Sequence, residues 1–119
     1  MSGLSQYIEG WRRREAAEER RSEARASEAR ARLPLVVALL VAQFGARRVI
    51  LFGSLAEGRF GAASDIDLAV EGLRGDWFAA WSAAERLLPG FRLDLVPLEA
   101  ARPILRAAIE RGEVLHEGP

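Results

Sequence analysis

Cysteine, lysine, threonine and asparagine are all absent from these 119 residues, and each absence closes off some chemistry. Without cysteine there are no disulfides, no thiolate zinc sites and no thiol nucleophiles. Without lysine there is no ammonium to grip phosphates as in a P-loop, and the pattern G-x-x-x-x-G-K-[ST] does not occur. All seventeen basic residues are therefore arginines, balanced by seventeen acids. A net charge of zero lacks the basic excess of an extended nucleic-acid surface, so any nucleotide partner is expected to be small. The longest apolar run, Leu33 to Ala42, is too short to span a bilayer, and the polar start is unlike a signal peptide. A cytoplasmic protein without a membrane partner is the expectation.

What is present begins with a block of unusual composition. Leu4, Tyr7, Ile8 and Trp11 recur at helical spacing, and Arg12 to Arg32 consists only of Arg, Glu, Ala and Ser. These are good helix formers with no breaker among them, so residues 1–32 are expected to form one long charged helix serving a partner or dimer contact. Ala17, Ala24 and Ala31 recur every seven residues, but an alanine seam is weak, and a solvated or loosely docked helix is favoured over a committed coiled coil. Tyr7, the only tyrosine, is read as packing rather than as a self-modification target.

The domain proper is expected over 33–119. Pro34 should start or kink a second, apolar helix through Phe44, closed by Gly45. A strand at about 48–53 leads to Gly53-Ser54, a short helical turn over 54–58, a loop, and a strand from Asp65 to about Glu71. Asp76 should cap a helix to about Leu88, whose aromatic stripe of Trp77 and Trp81 reads as core rather than as a stacking platform. Arg92 to Pro97 alternates as a strand. Pro103 opens a last helix with Ile104, Leu105, Ala108 and Ile109 inward, and Val114-Leu115 adds a short edge segment near His116, which is expected to be exposed. The plan is α+β: a small mixed sheet covered by helices on one face, with an extra long N-terminal helix.

The chemistry concentrates on three carboxylates and one bend. In an extended chain, residues two apart share a face, so Asp65 and Asp67 project together while Ile66 and Leu68 turn to the core. Paired carboxylates repel unless a cation lies between them or one is protonated, and oxygen-only ligands suit Mg²⁺ or Mn²⁺. Asp94, facing opposite to Leu93 and Leu95 on a neighbouring strand, would complete the site near the nucleophile as ligand, base or both. Gly53 lets backbone come close to a phosphate, and Ser54 with the turn behind it offers a hydroxyl and N–H groups. Each feature alone reads more simply as a turn, a cap or a solvated strand residue; together they point to a nucleoside triphosphate held by two metal ions.

Gly53-Ser54, ten intervening residues and then Asp65-x-Asp67 resemble the signature of the DNA polymerase β-like nucleotidyltransferase superfamily. Ser64-Asp65-Ile66-Asp67-Leu68 in a chain of this size looks like its minimal nucleotidyltransferases, over roughly residues 33–116. The resemblance implies the polymerase β-like fold, two Mg²⁺ ions (Mn²⁺ in their place), ATP as substrate, and Asp65, Asp67 and Asp94 as catalytic and metal-binding residues with Gly53 and Ser54 binding nucleotide. Many minimal members are antitoxins that move AMP from ATP onto a tyrosine of a HEPN-domain RNase encoded next door, so protein adenylylation of such a toxin is the implied function. The alternative is a non-catalytic nucleotide-binding antitoxin that neutralises its partner by contact. One departure sustains it: Glu57 stands where the family often has arginine in Gly-Ser-x-Ala-Arg-Gly. Transfer to a small molecule or to RNA is less favoured. Homo-oligomerisation through the N-terminal helix is a further expectation.

Overall fold

A computed structural model describes residues 3–119; the first two residues of the helix expected over 1–32 lie outside the described residues. Helix α1 runs unbroken over Gly3–Phe44 with Pro34 inside it, so the two helices expected on either side of that proline are one element. Proline removes one intrahelical donor, but Leu33, Val36 and Leu40 are all buried against the sheet, and that packing holds the turn in place. Forty-two residues span roughly 63 Å at the helical rise, which accounts for the long axis of a molecule measuring 65 × 30 × 22 Å. Gly45 ends the helix at φ 69°, where its N–H and that of Ala46 close on the carbonyls of Val41 and Leu40.

Strands β1 (Arg48–Phe52), β2 (Ile66–Glu71), β3 (Leu93–Pro97) and β4 (Glu113–Glu117) form one sheet in the order β3-β2-β1-β4. β1 runs antiparallel to β2 and β4, whereas β2 and β3 are parallel. The parallel pair requires a crossover, which α2 (Trp77–Glu85) supplies. Its N-terminus is capped by Asp76, whose carboxylate accepts from the N–H of Phe78 at 2.9 Å. The α+β plan with an extra N-terminal helix is thus as expected, and the suggested edge segment is a full strand.

The sheet is covered on both faces, not one. Alternation sends Val49, Leu51, Ile66, Leu68, Val70, Leu93 and Leu95 toward α1 and α2. Ile50, Phe52 and Ala69 face the other way, onto Leu98 of a 3₁₀ turn and Ile109 of α3 (Pro103–Glu110). Three expectations fail locally. Ile104 is 89 % exposed, because the face of α3 that meets the sheet carries Leu105 and Ile109. Tyr7 is exposed rather than packed, since α1 has already left the body there. His116 is half-buried, opposite Val49 in the β1–β4 ladder.

Packing of α1 on the body begins at about Arg25. Its guanidinium lies 4.4 Å from the ring centre of Phe91 and 5.7 Å from that of Phe60 and donates to the Gly90 carbonyl at 3.1 Å. Arg30 donates to Glu113 at 3.0 Å and to the Leu55 carbonyl at 3.3 Å. The core-facing register of Leu40, Val36, Leu33 and Ala29 continues upstream through Arg25 and Ser22 to Trp11, Ile8 and Leu4, in steps of three or four.

Candidate functional site

Because β1 is antiparallel to β2 and β2 parallel to β3, the end of β1 and the starts of β2 and β3 meet at one end of the sheet. Gly53 follows β1 there with φ 76°, and a Cβ on it would lie 2.2 Å from Oδ2 of Asp67. Only glycine fits, for its dihedral and for its neighbour alike. Ser54 to Gly58 form a hydrogen-bonded turn in which the N–H of Glu57 reaches the Gly53 carbonyl (3.1 Å) and that of Arg59 the Ser54 carbonyl (2.8 Å). Among the described residues, the N–H groups of Ser54, Leu55 and Ala56 have no intramolecular acceptor. Such a bend is suited to an anion.

Asp67 and Asp94 are register partners on the parallel strands, and Asp67 also stands opposite Phe52. Both project to the α3 face of the sheet, since their sequence neighbours Ile66, Leu68, Leu93 and Leu95 fill the other. Asp94 is exposed, while Asp67 is partly buried. Burial, then the charge of Asp94, then that of Asp65 push the Asp67 carboxyl up from 3.8 to about 6. Burial beside two further anions produces that direction, and a bound cation would oppose it.

Asp65 lies one residue before β2 on the same face, but its carboxylate is engaged: Arg92 Nε donates to Oδ1 at 3.0 Å. The structure therefore brings Asp67 and Asp94 together beside Gly53, and places Asp65 within electrostatic reach but turned to an arginine. Among the described residues no group of three or more acidic or imidazole side chains is set to hold a metal ion. The donor set nonetheless fits a hard divalent cation, with three carboxylates of one sheet face and Asp67 burdened by uncompensated charge. Release of Asp65 from Arg92 would complete that set.

Sequence reasoning missed three supporting residues. Arg92 shares its strand face with Asp94, and the same two-residue rule that paired Asp65 with Asp67 could have found it. Trp81, read as core, also donates its indole N–H to the Leu93 carbonyl at 2.8 Å, while Glu85 accepts the Leu93 N–H at 3.0 Å. Helix α2 thus clamps the residue before Asp94 from two sides. A half-buried tryptophan needs such a partner, although the sequence does not say which one. Glu57, the unexpected acid of the turn, is paired with Arg59.

Residues 36–118 match the family model described as polymerase beta, nucleotidyltransferase. A solved structure assigned as a minimal nucleotidyltransferase is 36 % identical; the match covers 76 % of this chain and 93 % of that one, with a TM-score of 0.60. No curated protein sequence matches the chain.

Proposed function

Since the chain belongs to the polymerase β nucleotidyltransferase family, we propose that it moves AMP from ATP to a hydroxyl of a partner protein, a tyrosine of a HEPN-type toxin, and so acts as an antitoxin. The observation that carries the transferase reading is the register pairing of Asp67 with Asp94 directly beside the Gly53 bend. The protein acceptor is inferred from the likeness to minimal family members.

In this reading the free N–H groups of Ser54, Leu55 and Ala56 bind the triphosphate oxygens, and Gly53 allows the phosphate to approach the backbone. Asp65, Asp67 and Asp94 would hold Mg²⁺, which supplies charge neutralisation and a lowered pKa for the attacking hydroxyl when bound. Asp94, the most open of the three, stands where an incoming acceptor hydroxyl meets the site and can take its proton. Asp67, half-sheltered between Gly53 and Asp94, orients the phosphate end.

One observation favours a second reading. Arg92 holds Asp65 and so withdraws one of the three carboxylates that transfer needs, which suits a chain that binds nucleotide and neutralises its partner by contact. Incubating the chain with α-labelled ATP, Mg²⁺ and the protein encoded beside it separates the two. Label on the partner, lost in Asp65→Asn and Asp67→Asn, is the expected result; inhibition of the partner without label would overturn the transferase reading.

A further inference from the structure

Helix α1 upstream of Arg25 forms an arm that continues past the end of the sheet carrying the Gly53 bend. Arg25 and Arg30 fix its root to Gly90 and Leu55 at that end, and Trp11 stands roughly 21 Å beyond Arg25 along the helix axis. At its tip Leu4, Tyr7, Ile8 and Trp11 make one apolar stripe, 67, 66, 41 and 53 % exposed, on the face that packs on the core lower down. Between tip and root that face overhangs a groove of about 1070 Å³ whose other wall is the loop from Leu55 to Ala62.

The charge of this groove indicates what fills it. Arg25, Arg30 and Arg59 line it but are already engaged, with Gly90, Glu113 and Glu57 respectively. Glu15, Glu18, Glu19 and Glu23 line it with no ion pair or hydrogen bond among the described residues, against one uncommitted cation, Arg21. The overhang therefore presents unspent negative charge, bordered by a tip whose apolar stripe is flanked by Glu9, Arg12 and Arg13. A second copy is a poor occupant: pairing two arms on this face sets like carboxylates against each other. Two tips together would bury on the order of 1,000 Å², less than the roughly 1,200–2,000 Å² of a stable interface.

We propose that the arm and the 55–62 loop form a docking cleft for an amphipathic, basic segment of another protein, its apolar side chains on the tip and its cations on Glu15, Glu18 and Glu19. The cleft lies on the α1 side of the sheet, opposite the carboxylates but on the loop that leaves the bend. A protein held there is anchored next to the site without occupying it. That this partner is the acceptor rests on the reading above; the docking itself does not.

The test uses the full chain and two labelled eighteen-residue helical peptides, one of Lys and Leu, the other of Glu and Leu, followed by fluorescence anisotropy. The basic peptide should bind, and both Ile8→Glu and the triple change Glu15→Gln, Glu18→Gln, Glu19→Gln should weaken it at least tenfold. Circular dichroism should be unchanged, and binding of a labelled ATP analogue should be equal in every variant, so loss of nucleotide binding throughout would fault the transferase reading alone. Equal affinity of wild type and variants for the basic peptide, or equal binding of the acidic one, would overturn the cleft. A dimer in sedimentation that Ile8→Glu dissociates would assign the stripe to self-association. Capture on phosphatidylserine vesicles in preference to the peptide would assign it to a membrane surface. Either of those outcomes also overturns the proposal.

Discussion

Replacing Asp67 by asparagine should make the metal-free protein more stable while abolishing transfer. Folding raises this carboxyl from 3.8 to about 6, so the folded state holds its proton more tightly than the unfolded chain does. Below pH 3.8 both states are protonated and nothing is lost. Between 3.8 and 6 the unfolded chain alone is charged and the fold weakens as pH rises; above 6 the loss is complete. Two pKa units correspond to about 3 kcal/mol, which solvent screening of a partly exposed group reduces to roughly 1–2 kcal/mol. For a chain of this length that is roughly 4–8 °C in Tm. Differential scanning calorimetry in EDTA should show Asp67→Asn melting higher than wild type at pH 7.5, with the gain gone at pH 4. Mg²⁺ with a non-hydrolysable ATP analogue should raise wild type and leave the variant unmoved. A variant that melts lower at pH 7.5, or keeps its gain at pH 4, would refute the assignment of Asp67 as the strained member of an anionic cluster.

Other perturbations probe the remaining parts. Gly53→Ala forces a Cβ onto Asp67 and a left-handed dihedral onto alanine; equilibrium denaturation should show a loss of about 1–3 kcal/mol, and ATP affinity should fall at least tenfold by titration calorimetry. Arg92→Gln frees Asp65, so Mn²⁺ should bind severalfold more tightly by electron paramagnetic resonance while stability changes by less than about 1 kcal/mol, the ion pair being largely exposed. Pro34→Ala restores an intrahelical donor and should raise stability by roughly 1–3 kcal/mol, read from the urea midpoint. Deleting residues 1–21 should leave ATP binding and the melting transition intact, whereas a cut at 30 removes Arg25, buried Ala29 and Arg30 and should lower Tm by several degrees.

Much of the site was legible because strands broadcast two-residue alternation: Asp65-Ile66-Asp67 and Leu93-Asp94-Leu95 each announced a polar face and a buried one. That Asp94 would join the site from a neighbouring strand was expected; its exact register opposite Asp67 was not legible, since it depends on β3 joining β2 in parallel, a pairing that no local pattern specifies. Pro34 misled because a helix-breaking preference of a few kcal/mol was outweighed by burial of Leu33, Val36 and Leu40 around it. The second covered face was missed for a similar reason. Ile104 and Ile109 are equally apolar in sequence, and only the angle at which α3 meets the sheet decides which is buried. Arg92 was overlooked because a lone arginine before a strand has many harmless readings until a carboxylate is found across from it.

The grip of Trp81 and Glu85 on Leu93 carries a lesson for interpreting inherited or engineered variants. Shaving an indole or a glutamate from a helix that holds none of the three acids would let the neighbouring strand drift, and a displacement of a fraction of an ångström at its first acid is enough to idle a transferase. Loss-of-function alleles should therefore cluster in that helix as well as at the acids themselves, and those that remove the packed indole should also melt several degrees lower.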